Sequence, residues 1–217
     1  MPLAVLFDLD GTLMDTLASI VEAMNEAAAE FHVVPEFHQD ELRPTIGKPV
    51  PRQLDELRGI SGPIAEAFTD RYYAHFTRLV ERGVRLYPCV AETFPRIAGD
   101  RRIGTMSTRR RYQVRRMLQV VRLESYFHAI VGGDDVTYPK PSPDLPLLAA
   151  RSLGVSADRC AVVGDSPVDI LAGHAAGMQA VAALYGYGDP ERVAEARPDA
   201  TIRSFSELPD ALDRLES

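Results

Sequence analysis

The architecture of this chain follows from one segment near its start, Val5-Leu6-Phe7-Asp8-Leu9-Asp10-Gly11-Thr12. Its apolar beginning predicts a strand over residues 3–8 that is buried on both faces. Two carboxylates, Asp8 and Asp10, follow at the end of that strand. An unpaired charge is costly to remove from water, so acids at the mouth of a core strand predict a cation, a proton or a reaction there. The plainer interpretation is that both acids only cap a turn and the helix after it.

The composition is typical of a globular protein with a net negative charge. The 217 residues are 46% hydrophobic, and this length fits a core domain with one inserted or appended subdomain. The net charge of −7 argues against a general nucleic-acid-binding protein and against binding to an anionic membrane. Cys89 and Cys160 lack metal-ligand spacing, which favours a reduced, cytoplasmic protein. We expect no secretory signal in residues 1–8 and no membrane-spanning segment.

Residues 16–83 read as an all-helical insertion. The first helix begins near Thr16 and carries an apolar stripe of Leu17, Ile20, Val21, Met24, Ala28 and Phe31. Prolines and a glycine break residues 33–51 into loops and short helices. A second stripe predicts a long helix that ends at Gly83, with Ile64, Phe68, Tyr72, Phe76 and Leu79 on its buried face.

Beyond a linker at residues 84–90, strands and helices alternate. The sequence predicts strands at 102–106, 127–131, 159–163, 179–183 and 200–202. It predicts helices at 90–98, 110–121, 143–153, 167–176, 190–196 and 205–215. Such alternation indicates an α/β fold, with a parallel sheet covered by helices on both faces. Ligands of these sheets bind beyond the carboxyl ends of the strands, so the residues directly after each apolar run are the candidates for a site.

Polar side chains follow several of these runs. Beside the two acids of the first strand, the candidates are Ser107, Lys140, Asp165 and Asp169. Taken singly they have ordinary explanations: Ser107 and Asp165 could cap helices, and Lys140 could be a solvated surface lysine. Together they place several carboxylates, one lysine and one hydroxyl at one edge of the sheet. Because converging carboxylates repel one another, this set predicts a hard divalent cation, and Mg²⁺ suits oxygen ligands of this kind.

This set of groups is suited to phosphoryl transfer. A carboxylate can act as a nucleophile toward phosphorus. A lysine, a hydroxyl and backbone N–H groups at helix starts can hold the phosphoryl oxygens where charge develops. A second carboxyl can protonate the departing alkoxide and later activate water, and the spacing of Asp8 and Asp10 allows this division.

In chain order these residues resemble the four motifs of the haloacid dehalogenase-like hydrolase superfamily. The motifs are Asp8-Leu9-Asp10-Gly11-Thr12, Ser107, Lys140 and Gly164-Asp165-Ser166-Pro167-Val168-Asp169. The resemblance spans essentially the whole chain. It implies a Rossmann-like catalytic core formed by residues 1–15 and 85–217, with a helical cap domain of residues 16–84 inserted after the first motif.

The resemblance also implies a role for each acid. Asp8 would be the nucleophile and a Mg²⁺ ligand. Asp10 would be the general acid/base and would give the metal its backbone carbonyl. Asp165 would complete the metal site, and Asp169 would support it through water or hydrogen bonds.

The phosphoryl group would be held by Ser107 and Lys140, with Thr108 and Gly11 completing the predicted substrate-binding set. Substrate selection would fall to the cap, in the stiffened loop at residues 45–52. We expect Lys48 or Arg52 to meet a substrate anion such as a carboxylate. The alternative is that both are ordinary surface bases of the cap.

A run of arginines between Arg101 and Arg116 allows two interpretations. It could be a solvated helix face with carboxylate partners. Alternatively, Arg109, which directly follows Ser107-Thr108, could raise the positive field over the phosphate site.

The resemblance also indicates which type of reaction to expect. Asp10 indicates phosphate-ester chemistry, because the haloacid dehalogenases of the superfamily lack this acid. The segments 185–191 and 197–200 resemble the phosphoglycolate phosphatase branch and its pyrophosphatase relatives. We therefore predict a Mg²⁺-dependent phosphatase that acts on a small phosphorylated metabolite, with phosphoglycolate first, through an aspartyl-phosphate. Pyrophosphate hydrolysis, β-phosphoglucomutase-like chemistry and a non-catalytic binding protein on the same fold stay open, as does the choice between monomer and homodimer.

Overall fold

A five-stranded parallel sheet forms the centre of the molecule, in a computed structural model that describes residues 2–216. The strands of the described chain are β1 Ala4–Phe7, β2 Met14–Asp15, β3 Arg85–Leu86, β4 Ile103–Thr105, β5 Cys160–Gly164, β6 Gln179–Ala183 and β7 Ala200–Ile202. The central sheet has the order β4-β1-β5-β6-β7, and all its neighbouring strands are parallel. The short strands β2 and β3 form a separate antiparallel pair.

Helices cover both faces of the sheet and form the inserted segment. They are α1 Leu17–Phe31, α2 Gln39–Leu42, α3 Val50–Arg58, α4 Gly62–Arg82, α5 Val90–Ala98, α6 Arg111–Val120, α7 Asp144–Leu153, α8 Pro167–Ala175, α9 Pro190–Glu195 and α10 Leu208–Leu215. The predicted α/β class, with its parallel sheet and alternating helices, is therefore confirmed. Within residues 2–216, no helix is both long and apolar enough to cross a membrane.

Strand β1 is central because its side chains are apolar on both faces. Val5 and Phe7 belong to one buried cluster, whereas Ala4 and Leu6 belong to the cluster on the opposite face. On the first face the ring of Phe94 lies 5.2 Å from that of Phe7, between centroids. Burial on both faces fixes the end of β1, and with it Asp8, in the middle of the sheet edge.

The inserted helices pack mainly through α1 and α4. The predicted stripe on α4 is correct for Phe68, Tyr72, Phe76 and Leu79, which are buried. It is wrong for Ile64, which is 60% exposed, because the buried face begins one position later at Ala65.

The two chain crossings between the sheet and the inserted helices lie side by side. Met14 pairs with Leu86 and Asp15 pairs with Arg85 in the β2–β3 ribbon. The division into a core of residues 1–15 and 85–217 and a cap of residues 16–84 stays a prediction, and this ribbon is where its two hinges would lie.

The predicted strand at 127–131 is wrong, since only an isolated bridge between Ala129 and Gly104 forms there. The side chain of Thr105 explains the break. The Thr105 hydroxyl both accepts from the Val131 N–H and donates to the Val131 carbonyl, at 2.8 Å each. The Thr105 hydroxyl thus takes the two hydrogen bonds of Val131 that a neighbouring strand would otherwise make through its backbone.

Candidate active site

Three parallel strands bring the candidate residues to one edge of the sheet. Asp8 follows β1, Asp165 follows β5, and Ser107 follows β4 after one intervening residue. All three are buried, with exposed fractions of 5% or less. The prediction that these residues meet at the carboxyl ends of neighbouring strands is borne out by this placement.

A cluster of three buried carboxylates lies at the centre of this edge. Asp8, Asp165 and Asp169 each offer one carboxylate oxygen, and these oxygens all lie within 4.8 Å of one another. Lys140 is buried among them, with its Nζ 3.3 Å from Asp8 Oδ1 and donating to Asp169 Oδ1. One lysine therefore faces three acids.

The charge of this cluster is unbalanced, and the titration of its members reflects this. Burial raises the pKa of Asp8 well above its usual range, and the negative charges of Asp169 and Asp165 add to the effect. Burial, followed by the charge of Asp169, raises the pKa of Asp165 to about 7. Burial opposes the charge of Lys140, but Asp169 and Asp8 outweigh it and raise its pKa. Converging oxygen donors with one counter-charge fit a hard divalent cation such as Mg²⁺.

Asp165 is fixed in orientation by two hydrogen bonds. Its Oδ1 accepts from the Thr12 hydroxyl at 3.0 Å, and its Oδ2 accepts from the Tyr187 N–H at 2.7 Å. Gly11 makes this close approach possible. It has φ +81°, and a Cβ at this position would lie 2.2 Å from Asp165 Oδ2. The structure thus places Gly11 against a predicted metal ligand.

Asp169 is engaged on both oxygens. Its Oδ1 accepts from Lys140, while its Oδ2 accepts from the Ser166 N–H at 3.0 Å and the Ser166 hydroxyl at 2.6 Å. This reciprocal contact caps the start of α8. Asp169 therefore orients Lys140 and the start of α8, and it still offers one oxygen to the acid cluster.

Asp10 points away from this cluster and forms a buried ion pair with Arg109. Arg109 Nε lies 2.5 Å from Asp10 Oδ2, and Arg109 Nη2 donates to Oδ1 at 2.9 Å. The Thr16 hydroxyl also donates to Oδ1. Arg109 lies 3.5 Å from the ring centroid of Phe76 and donates to the Tyr72 hydroxyl, so it joins the first motif to α4.

The arginine run thus divides between the two interpretations. Arg109 is 6% exposed and lies at the site, so the solvated-face interpretation is wrong for this residue. That interpretation is confirmed for four of its neighbours, whose carboxylate partners are Asp70 for Arg110, Asp135 for Arg111, Glu124 for Arg115 and Glu81 for Arg116.

A small cavity lies between Asp10 and the loop at residues 45–52. Its volume is about 30 Å³, and its lining includes Lys48, Gln53, Tyr73, Thr108 and Arg109. Thr108 lines this cavity, and its role in substrate binding stays a prediction. Ser107 lies beneath, and its hydroxyl accepts from the Arg109 N–H at 3.3 Å.

The two predicted anion-binding bases of the cap are placed differently. Lys48 lines the cavity and forms an ion pair with Glu56. Arg52 shares Glu56 at 3.1 Å, but its side chain is 64% exposed and it does not contribute to the lining. In this arrangement only Lys48 is beside the site.

Several functional contacts were not foreseen from the sequence. The pairing of Arg109 with Asp10 spans 99 positions, and the contact of Tyr187 with Asp165 spans 22. A signal was present for the second, because Tyr185-Gly186-Tyr187-Gly188 stood out as a branch-specific segment. Both of its glycines pack against Asp165, where a Cβ would approach within 2.3 Å at Gly186 and 2.0 Å at Gly188.

Comparisons with known proteins agree with this geometry. The haloacid dehalogenase-like hydrolase family model matches residues 5–183. A phosphoglycolate phosphatase of Salmonella paratyphi A is 33% identical, with 96% of this chain and 91% of that protein covered.

Two solved structures share the whole fold. A haloacid dehalogenase-like hydrolase from Bacteroides fragilis has a TM-score of 0.88 and 27% identity, with 96% of this chain and 100% of that chain covered. A variant of CbbY from Rhodobacter sphaeroides, in complex with xylulose-(1,5)bisphosphate, has a TM-score of 0.84 and 26% identity, with 96% of each chain covered. The expectation of an enzyme, rather than a non-catalytic binding protein, is confirmed. The chain belongs to the haloacid dehalogenase-like hydrolases, within their phosphatases.

Proposed function

We propose that this phosphatase is Mg²⁺-dependent and hydrolyses a small phosphorylated metabolite, phosphoglycolate first, through an aspartyl-phosphate on Asp8. One observation carries the proposal. Asp8 lies in a buried acid cluster beside Lys140, whereas Asp10, two residues later, is held apart by Arg109 and Thr16. Two neighbouring carboxyls in such different surroundings are suited to two different tasks.

Asp8 is the nucleophile in this proposal. One of its carboxylate oxygens attacks phosphorus, the bond between phosphorus and the ester oxygen breaks, and the departing alkoxide takes a proton from Asp10. Water then attacks the aspartyl-phosphate, Asp10 accepts the proton of that water, and inorganic phosphate leaves with Asp8 again a carboxylate. Lys140 is the ion-pair partner of Asp8 among the described residues, and its positive charge opposes the effect of burial and favours the ionised, nucleophilic form of Asp8.

The remaining polar groups hold the phosphoryl oxygens. Lys140, fixed by Asp169, supplies a positive charge next to the nucleophile. Ser107 supplies a hydroxyl at the same edge of the sheet. Mg²⁺, held by Asp8, Asp165 and the Asp10 carbonyl with Asp169 behind them, would neutralise the negative charge of the phosphoryl oxygens.

Asp10 must change partners to act as an acid. Both of its oxygens accept hydrogen bonds, from Arg109 and from the Thr16 hydroxyl. A carboxylate that only accepts has no proton to donate. The working state therefore requires a protonated Asp10 that has left at least one of these contacts.

The cavity supports a short leaving group. About 30 Å³ holds one or two water molecules. A leaving group therefore fits into this cavity only when the loop at residues 45–52 or Arg109 moves. Lys48 at this cavity favours a small anionic group such as a carboxylate, which agrees with the name of the Salmonella relative. Arg52 could also contact this anionic group if it left Glu56.

The free thiols of Cys89 and Cys160 fit the proposed cytoplasmic location.

A substrate panel tests the proposal. Phosphoglycolate, pyrophosphate, hexose phosphates, xylulose bisphosphate and p-nitrophenyl phosphate are assayed with Mg²⁺ and with EDTA. We expect release of free phosphate from phosphoglycolate with the highest kcat/KM. A phosphoryl group that stays on a sugar in the presence of a bisphosphate primer would instead identify a mutase, and preference for pyrophosphate would identify a pyrophosphatase.

The role of Asp8 is tested with a matched pair of variants. Asp8→Asn should lower kcat by at least about a thousandfold, because the amide is not a nucleophile. Asp55→Asn, which changes an exposed acid of α3 in the same way, should leave kcat unchanged. Wild-type turnover in Asp8→Asn would disprove the aspartyl-phosphate mechanism.

A further inference from the structure

The loop of residues 185–189, which follows β6, contacts three parts of the molecule at once. Tyr187 makes most of these contacts through its backbone N–H, its backbone carbonyl and its phenol. The proposed reaction assigns no task to this residue.

The first contact is with a predicted metal ligand. The Tyr187 N–H donates to Asp165 Oδ2 at 2.7 Å. Gly186 and Gly188 lie on either side, and neither position has room for a Cβ beside Asp165. The backbone of the loop is therefore packed directly against Asp165, so a shift of the loop would move that carboxylate.

The second contact is with the first chain crossing. The Tyr187 phenol accepts from the N–H groups of Thr16 and Leu17, at 2.6 and 3.0 Å, and donates to Asp15 Oδ1 at 2.9 Å. A phenol has one proton and two lone pairs, so all of its hydrogen-bonding capacity is used.

This phenol takes the place of an ordinary helix cap. Thr16 stands at the N-cap position of α1, where a threonine side chain usually accepts from the first turn. Here its hydroxyl donates to Asp10 instead, and α1 has no side-chain cap of its own. The Tyr187 oxygen satisfies the helix start from 170 or more positions away in the sequence.

The third contact is with the inserted helices. Arg43, directly after α2, donates from Nη2 to the Gly186 carbonyl at 3.1 Å and from Nε to the Tyr187 carbonyl at 3.3 Å. The loop is thus bonded to the hinge, to the cap and to Asp165 through adjoining groups.

We propose that Tyr187 is a positioning residue that holds the predicted hinge at Asp15–Leu17 in a fixed position relative to the carboxylate of Asp165. Opening of the cap at this hinge and binding of a cation at Asp165 then influence each other, because both move the same loop. Such coupling is reciprocal, so a cation at Asp165 should stabilise the hinge by the same factor by which a closed hinge favours the cation. The cation half of this inference rests on the proposed function, whereas the hinge half does not.

The test compares wild type with Tyr187→Phe and with the matched variant Tyr185→Phe. Each variant loses one phenol from the same loop, but the Tyr185 hydroxyl donates to the Thr12 carbonyl rather than to the hinge. Amide hydrogen exchange at Thr16 and Leu17 is measured in EDTA and at saturating Mg²⁺, and Mg²⁺ binding is measured separately by calorimetry.

In EDTA we expect about tenfold faster exchange at Thr16 and Leu17 in Tyr187→Phe, from the loss of the phenol acceptor, and no such change in Tyr185→Phe. Saturating Mg²⁺ should slow exchange at these amides in wild type and in Tyr185→Phe, and this response should disappear in Tyr187→Phe. A merely structural loosening would speed exchange equally with and without Mg²⁺ and would leave the response intact.

Unchanged metal-free exchange in Tyr187→Phe would overturn the proposal. A Mg²⁺ response that survives in Tyr187→Phe would also overturn it, provided that calorimetry shows the ion bound. Failure of Mg²⁺ to bind wild type would count against the proposed function, and the metal-free exchange would still decide the role of the phenol. Arg43→Ala, at an exposed residue, is the second variant if Tyr187→Phe does not fold, and an unaltered Mg²⁺ response there would contradict the coupling.

Discussion

Arg109 donates to both carboxylate oxygens of Asp10 while its guanidinium lies 3.5 Å from the ring centroid of Phe76. The proposed proton donor is thus tied to α4 through one buried cation. Burial opposes the charge of Arg109, but Asp10 outweighs it and raises the pKa of the guanidinium, so the residue stays charged. Because this charge is paired, its net contribution to the field over the phosphate site is small while the contact persists.

Removal of Arg109 should be strongly destabilising. Arg109→Ala leaves the Asp10 carboxylate buried without its charge partner, and breaking such a pair costs about 3–5 kcal/mol of unfolding free energy. Urea denaturation measures the effect. Arg110→Ala is the matched control, because its pair with Asp70 is exposed and such pairs contribute less than about 1 kcal/mol. Equal unfolding free energies for the two variants would show that the buried pair is not a stabilising link.

The stability of the metal-free protein should fall as the pH rises from about 4 to about 7. The folded-state pKa of Asp165 is raised to about 7, chiefly by burial. In this window the folded state holds a proton that the unfolded state has lost, so unfolding releases it and is favoured by higher pH. The loss should exceed about 1 kcal/mol, the free energy of roughly one pKa unit. It is measured as the unfolding free energy in EDTA at several pH values.

Mg²⁺ should oppose this trend, because the ion binds ionised carboxylates and so stabilises the folded state more as the pH rises. Asp165→Asn should reduce the pH dependence in EDTA, since the amide does not titrate, and the part that remains should come from Asp8, whose pKa is also raised by burial. A metal-free protein whose stability is flat or rises between pH 5 and 7 would contradict the unbalanced charge of the acid cluster.

Gly11→Ala should weaken Mg²⁺ binding by at least about tenfold, because a displaced ligand group costs metal affinity of that order. The new Cβ would lie 2.2 Å from Asp165 Oδ2 and would displace that carboxylate. Gly59→Ala is a close control. Gly59 also has a positive φ, of +66°, but nothing lies within 4 Å of its would-be Cβ. Both variants share the backbone strain, so only the contact with Asp165 separates them in a calorimetric titration. Similar Mg²⁺ affinities would mean that Asp165 is not held by this approach.

The sequence predicted those parts of the fold and site that depend on local pattern. Apolar runs located β1 and β5, and the positions after them located Asp8 and Asp165. The failure at 127–131 has a physical cause that no pattern carries, since the Thr105 side chain replaces a backbone partner of Val131.

The long-range contacts that hold the site residues in place could not be predicted from the sequence pattern. The pairing of Asp10 with Arg109 and the capping of α1 by Tyr187 join residues 99 and 171 positions apart. They depend on how the inserted helices meet the sheet, and only the folded chain shows this. The two-residue strands β2 and β3 are likewise too short to leave a period in the sequence.

Lys48→Ala and Arg52→Ala should differ in their effect on KM for phosphoglycolate. Lys48 lines the cavity beside Asp10, whereas Arg52 is largely exposed and paired with Glu56. Lys48→Ala should therefore raise KM for phosphoglycolate by about tenfold, the loss of one charge-assisted contact, with kcat little changed. Arg52→Ala should change KM less than about twofold, as expected for an exposed pair. p-Nitrophenyl phosphate, which lacks a carboxylate, is the control substrate, and both variants should turn it over like wild type. A larger effect of Arg52→Ala than of Lys48→Ala on phosphoglycolate alone would show that the cap loop rearranges around the bound substrate and brings Arg52 to its anion.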